Sequence, residues 1–225
     1  MVTLISMTNL NLMKMMNKLI GISGFARSGK DTFYKRCSNI LGSHNEKCKN
    51  FSFADALKQE LDELLIKHTG ISAYTSVDSE KQIIRPLLVT YGTEIRRRIN
   101  PNCWVEKIES SVIEYLNKGY YVFVTDVRFL NEANWVKNQG GYLFNIQRDG
   151  IGPANKDEKD QYRLFRYLID YTVSWPTFDK LDTSSYDNYV IKLFDTPNSN
   201  SRLFPKNYSI IDSKPGKNFQ TETPN

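Results

Sequence analysis

At 225 residues and 40% hydrophobic content, the chain is long enough to bury one domain-sized core and still carry tails or a lid. Its net charge of +5 comes without a dense Lys/Arg run, so the balance suits polyanionic small substrates, and a DNA-binding module would rest on net charge alone. Cys37, Cys48 and Cys103 are odd in number and lack metal-type spacing, and neither His44 nor His68 has a second ligand nearby in sequence, which points to reduced thiols in a cytosol-like compartment and away from a metal site.

Residues 1–16 carry Met1, Met7, Met13, Met15 and Met16 among Asn and Leu. The charged start and small-residue cleavage site of a signal peptide are missing, so this reads as a disordered extension, with translation starting at Met15 or Met16. No apolar run is long enough to span a membrane, and no membrane association is expected. Lys18–Ile22 is a short apolar run suited to a buried strand. It leads into GFARSGK, which matches the body of a phosphate-binding loop, and a helical pattern follows over Lys30–Leu41. Such a loop needs Gly24 and Gly29 because its backbone curls closely around phosphate oxygens. Its N–H groups and the positive end of the next helix then face the anion. Lys30 would reach the outer phosphates, and Ser28, Asp31 and Thr32 complete the loop. Asp31 stands where a Ser or Thr usually holds Mg²⁺. Arg27 reads either as extra charge near the phosphates or as a solvated loop residue.

Asn50–Phe53 reads as a second strand. Asp55 sits where an N-cap would, before a helix with apolar residues at helical spacing. Asp55 and Lys58 would then lie one turn apart at the mouth of the sheet, holding a small polar substrate or simply capping and solvating a helix. A helix over Ser79–Arg98 follows, kinked or broken at Pro86. Arg96, Arg97 and Arg98 at its end either complement the helix dipole or grip a substrate phosphate through forked hydrogen bonds. Tyr91 and Trp104 are candidates to stack on a base, against the plainer reading as core aromatics. Pro101 opens another helix, closed by Gly119.

Tyr120–Thr125 is a continuous apolar run, typical of a central parallel strand. Asp126 follows directly, on the ligand-binding edge of an open α/β sheet, where it would bind Mg²⁺ or else cap the helix over Phe129–Gln139. Arg128 would point into the same cleft. The helix ends at Gly140-Gly141, and Tyr142–Ile146 is the next strand. Arg148–Lys180 is polar and helical in its middle, with Arg163 and Arg166 at i,i+3. That suits a mobile flap carrying arginines, or a charged surface helix. Tyr189–Leu193 reads as a last strand, and residues 195–225 as a polar, mostly disordered tail. Strands alternating with helices give an α/β fold with a parallel sheet of about five strands, covered on both faces, plus a helical acceptor and lid region.

Taken in order, SGFARSGKDT (23–32), FADALK (53–58), YGTEIRR (91–97), PNCWV (101–105) and TDVRFLNEA (125–133) resemble the phage-type deoxynucleoside monophosphate kinases. The resemblance covers roughly residues 18–148 and makes 17–194 a P-loop kinase domain with its lid at about 148–180. That family also places an Asp after the loop lysine. The resemblance implies that Gly24–Thr32 cradle the ATP phosphates, that Lys30 bridges toward the γ-phosphate, and that Asp126 and Asp31 position Mg²⁺. It further implies an acceptor site of Asp55, Lys58, Tyr91, Arg96 or Arg97, Trp104 and Arg128, with Arg163 or Arg166 serving from the lid.

The implied reaction is transfer of the ATP γ-phosphoryl group to a deoxynucleoside monophosphate, in the cytoplasm of a host cell if the source is viral. No stable nucleic-acid partner is expected, and a homodimer is compatible with the sequence. Two rivals stand beside it. An animal-type phosphomevalonate kinase resembles the chain at the loop, at an acceptor-side lysine helix and at a strand-end Asp. A non-catalytic nucleotide-binding regulator would keep Lys30 but could dispense with Asp126 or the lid arginines. No guanine-reading Asn-Lys-x-Asp motif is present, which argues against a GTP switch.

Overall fold

The computed structural model describes residues 18–43, 45–175 and 183–195. The expected N-terminal extension, His44 and nearly all of the expected polar tail lie outside the described residues. In chain order the elements are β1 (Leu19–Ser23), α1 (Lys30–Ser43), β2 (Cys48–Phe51), α2 (Phe53–Thr69), α3 (Asp78–Val89) and α4 (Cys103–Asn117). They continue with β3 (Tyr121–Val124), α5 (Leu130–Asn138), β4 (Tyr142–Gln147), α6 (Lys156–Phe165), β5 (Tyr171–Ser174) and α7 (Thr183–Asp195). The described residues divide into two compact units, one of those up to Asn50 and from Tyr115 onward, the other of Phe51–Glu114.

The first unit is built on a five-stranded parallel sheet in the order β2-β3-β1-β4-β5, with helices around it. This is the expected α/β architecture and is consistent with a P-loop kinase-like fold. β1 is central. It pairs with β3 through Leu19 opposite Val122 and Gly21 opposite Val124, and with β4 through Ile20 opposite Tyr142 and Ser23 opposite Asn145. Every β1 residue is buried, as a strand covered on both faces requires. Ile20 and Ile22 point to a core shared with Phe33, Cys37 and Leu41 of α1 and Tyr186 and Val190 of α7. Gly21 faces the other way. A Cβ there would lie 3.1 Å from both Leu143 and Val136, so the backbone approach of α5 to the sheet depends on that glycine.

Strand order fixes where a ligand belongs. From β1 the chain crosses to the β2 edge, and from β3 it crosses back past β1 to β4. Right-handed crossovers in opposite directions place their helices on opposite faces and leave a crevice beyond the carboxyl ends of β1 and β3.

Two boundaries near the end of the chain differ from the sequence reading. Tyr189–Leu193 lies inside α7 and is helical, not a strand, because Tyr186 and Val190, four apart, bury one face of a helix against α1. The fifth strand is instead Tyr171–Ser174, which pairs Phe144 with Tyr171 and Gln147 with Ser174. Asp170 just before it accepts from Leu143 N–H at 2.7 Å and pairs with Lys137 at 2.6 Å, fixing the strand's entry.

In the second unit, α2 begins three residues earlier than expected. Ser52, in extended conformation, is its N-cap, and its hydroxyl accepts from Asp55 N–H at 3.3 Å. Asp55 therefore stands in the first turn, not at the cap, where its charge meets the positive end of the helix. Gly70, with φ of 73°, closes α2. Leu61 and Leu65 of α2 pack with Ala73 and Ile84. The single expected helix over 79–98 is composite. Pro86 lies within α3, a π-helical segment follows at Thr90–Arg96, and one further turn spans Arg97–Ile99.

Candidate active site

The loop between β1 and α1 holds its shape through backbone conformations that few residues tolerate. Gly24 and Gly29 have φ of 140° and 100°, and Arg27 sits at 65°, in the left-handed region a non-glycine residue rarely takes. A Cβ on Gly24 would lie 2.7 Å from the Ser28 hydroxyl and overlap the Ile146 carbonyl. One on Gly29 would lie 2.5 Å from the Trp175 ring. Trp175 follows β5 and is locked among Phe33, Tyr186 and Tyr189, so α1, β5 and α7 together set how closely the loop can be approached from below. Ser28 is 1% exposed, and its hydroxyl has no hydrogen-bond partner among the described residues.

Lys30, the first residue of α1, folds back over this loop. Its ammonium donates to the carbonyls of Gly24 at 2.7 Å and Phe25 at 2.8 Å. Burial pushes its pKa down from 10.5 to about 8, and the Arg128 cation adds to that. Asp31, Glu158 and Asp126 pull in the opposite direction. Four charged groups from three parts of the chain thus act on one ammonium.

Asp126 and Arg128 arrive there from the end of β3. Val127 N–H donates to Ile22 O at 3.1 Å, stitching the segment after β3 to the end of β1. The cap of α5 is Phe129, not Asp126. Glu132, 1% exposed, turns its carboxylate back to accept from Arg128 N–H at 2.8 Å and Phe129 N–H at 3.0 Å. That capping carboxylate fixes the backbone from which Arg128 projects.

Of the charges on α6, Glu158 is the one felt by Lys30. Arg163 lies 3.7 Å from Asp160 on the same helix, and Arg166 starts a single 3₁₀ turn after α6. The base of α6 is joined to the loop by Tyr162, whose ring packs 5.4 Å from that of Phe25 and whose hydroxyl accepts from Asn145 at 3.3 Å. Glu158 and Glu132 were not among the sequence candidates. Asn155 and Glu158 do carry the spacing of a helix start, and Asn155 accepts from Glu158 N–H at 2.8 Å, but that signal marks a cap and not a site.

The donor set suits a nucleotide phosphate chain: a glycine loop, a helix N-terminus and Lys30, with Arg128 close enough to act on that ammonium. For a divalent ion the fit depends on the substrate. Among the described residues no group of three or more His, Cys, Asp or Glu is placed to hold a metal by protein ligands alone. Asp126 and Asp31 would therefore hold Mg²⁺ together with phosphate oxygens and water, as that ion is usually bound.

The second unit gathers the remaining candidates into two groups. Asp55 and Lys58 meet at Tyr74, whose hydroxyl donates to Asp55 O at 3.2 Å and whose ring lies 5.5 Å from the Lys58 ammonium. Tyr91 and Arg96 meet at Glu60, and Trp104 packs on Arg96. The Tyr91 hydroxyl donates to its carboxylate at 2.6 Å, Arg96 Nε lies 3.0 Å away and Lys107 lies 3.3 Å away. Burial pushes Glu60 upward, but Tyr91, Lys107 and Arg96 outweigh it and hold the carboxyl below its ordinary value. The Trp104 ring is 2% exposed and faces the Arg96 guanidinium, while its indole N–H donates to Gly92 O at 3.1 Å. Arg97 acts with Arg96 on the Cys103 thiol.

No family model matches the chain. A protein of Acanthamoeba polyphaga mimivirus, described as "Putative deoxynucleotide monophosphate kinase", is 29% identical over 150 residues, covering 59% of this chain and 75% of that protein. "Uncharacterized protein ORF76" of Ictalurid herpesvirus 1 (strain Auburn) is 24% identical over 201 residues, covering 83% of this chain and 76% of that protein. The first similarity supports a distant relationship to that viral kinase. Among the described residues, no helix is long and apolar enough to cross a membrane.

Proposed function

We propose that the protein transfers the γ-phosphoryl group of ATP to the phosphate of a deoxynucleoside monophosphate, in the cytoplasm of a virus-infected cell. The observation that carries this reading is Lys30, held over a strained glycine loop at the topological switch point, within electrostatic reach of Arg128, Asp126 and Asp31. The mimivirus relative, by its printed description, supports the same class of reaction.

The acceptor phosphate is already a good nucleophile, so no strong base is needed. The chain has to align two anions and absorb the charge that builds between them. Lys30 and the N-terminus of α1 would hold the donor's outer phosphates. Arg128, fixed at its backbone by Glu132, would sit between donor and acceptor. Asp126 and Asp31 would hold Mg²⁺, which would supply charge neutralisation on the transferring phosphates. Asp55, Lys58 and the arginines at the end of the composite helix would engage the acceptor. Arg96, which is paired with Glu60, or Arg97 would take the acceptor phosphate. Arg163 or Arg166 would serve from the lid, Arg163 by exchanging its exposed pairing with Asp160 for a phosphate.

The test is ADP production from ATP and Mg²⁺ against dAMP, dCMP, dGMP, dTMP, their ribose forms and mevalonate 5-phosphate. Turnover of one or more deoxynucleotides is expected. Turnover of mevalonate 5-phosphate alone would replace this reading with the rival kinase. Nucleotide binding without any turnover would replace it with a binding module.

A further inference from the structure

The loop joining α2 to α3, residues 70–77, is unusually well anchored for a surface connection. Asp62 accepts from both the Ser72 hydroxyl at 2.7 Å and Ala73 N–H at 2.8 Å. Ser72 Oγ accepts from Tyr74 N–H at 3.1 Å, Thr75 Oγ1 accepts from Val77 N–H at 3.2 Å, and the Thr75 hydroxyl donates to Glu80. Ala73 is buried in the α2–α3 core. Short polar side chains bonded to nearby backbone in this way lock a turn into one conformation.

What this frame presents is Tyr74. The residue is 49% exposed, although its hydroxyl is pinned to Asp55 O at 3.2 Å. An aromatic ring held at both ends by hydrogen bonds loses little further freedom when a flat partner stacks on it, and its phenol is already satisfied. The Lys58 ammonium lies over the ring, 5.5 Å from its centroid, so a cation stands on one face and a stacking partner would take the other or displace it. A fixed ring with an adjacent ammonium matches a ligand that carries a planar base and a phosphate dianion one sugar apart.

We propose that Tyr74 is the stacking platform for the nucleobase of the acceptor nucleotide, with Lys58 beside it facing the acceptor's sugar-phosphate. This rests on the phosphoryl-transfer reading above, and it adds a specificity rule. Every base has a π-face, so stacking on Tyr74 accepts several bases and rejects phosphorylated substrates that have none.

The experiment measures equilibrium binding and steady-state turnover of dTMP and dGMP by the full chain and by Tyr74→Ala, Tyr74→Trp and Tyr74→Phe. 2-Deoxyribose 5-phosphate serves as a base-free competitive probe, and circular dichroism checks the fold of each variant. Tyr74→Ala should raise the acceptor KM and Kd on the order of tenfold, leave the ATP KM within about twofold, and leave inhibition by 2-deoxyribose 5-phosphate unchanged. Tyr74→Trp should retain affinity, and Tyr74→Phe, which keeps the ring but loses its tether, should fall between.

Wild-type turnover with an unchanged acceptor KM in Tyr74→Ala would overturn the platform while leaving the reaction in place. Tight dTMP binding that depends on Tyr74, without turnover, would support the platform and overturn the reaction. Equal weakening of dTMP and the base-free probe would overturn stacking in favour of a structural role for the loop. Absence of any nucleotide binding by the wild-type chain would overturn the platform outright.

Discussion

The glycine loop of the first unit and the Glu60 cluster of the second both concentrate charge, but they are held in different ways. The loop is shaped by backbone: positive φ angles, two glycines with no room for a Cβ, and a lysine tied to main-chain carbonyls. The Glu60 cluster is shaped by side chains: a phenol, a guanidinium and an ammonium around one carboxylate, on three different helical segments. A backbone-shaped site presents donors that stay in place when a ligand arrives, which is what charge stabilisation in a transition state needs. A side-chain cluster fixes which faces of its helices meet, and can be redistributed by a single substitution.

Mutations should separate the two most sharply at Lys30. Lys30→Ala should reduce kcat/KM by at least about 100-fold with the melting temperature little changed, since the residue gives up only two bonds to loop carbonyls. Retained turnover would sink the site assignment. The same residue gives a pH signature. Its folded pKa is lowered to about 8 from 10.5, so between those values the unfolded chain binds more protons and stability rises with pH. A phosphate anion draws the pKa back up, so ATP binding just above pH 8 should take up protons, seen as a buffer-dependent enthalpy in calorimetry. Proton release on binding would contradict the geometry.

Next in size is Glu132→Ala, which removes a buried acceptor from Arg128 and Phe129 N–H. It should destabilise the fold by about 2 kcal/mol in urea unfolding. Glu132→Gln, which keeps an acceptor, should recover part of that and lower kcat more than it alters KM. Glu60→Gln should cost about 1 kcal/mol, because the carboxylate is paired but not deeply buried. Its folded pKa is lowered, so the wild-type contribution is present above the ordinary carboxylate pKa and is lost as pH falls through the folded value. The difference between wild type and Glu60→Gln should therefore shrink in acid. Smallest is Arg98→Ala. The Arg98–Glu94 pair is exposed on both sides, and its loss should stay within about 0.5 kcal/mol.

The contrast also explains what could be read from the sequence. β1, the loop and α1 were legible because glycines and a lysine at fixed spacing between an apolar run and a helical pattern leave few other conformations. Asp126 was legible as a strand-end carboxylate, a matter of local order. Tyr189–Leu193 misled because its β-branched and aromatic residues suit a strand when taken alone, whereas the spacing of Tyr186 and Val190 against α1 makes it helical. β5 was hidden by four ordinary residues in a polar stretch, and its place depends on Asp170 meeting Lys137, thirty-three positions away. Glu60 and Glu158 look like any surface carboxylates in the sequence. Their importance comes from partners that only the fold brings near.

The π-helical segment at Thr90–Arg96 has a consequence for Arg96, which ends it, and for the two arginines that follow. A wide turn holds one more residue than an α-turn, so it delays everything downstream by one step of rotation, roughly 100°. Tightening this segment to an α-turn without removing a residue would rotate Arg96 away from Glu60 and Trp104, whereas removing one residue before Arg96 as the turn tightens would leave Arg96 on the face it now occupies. The inserted residue works as an index. It selects which member of an arginine triplet meets Glu60.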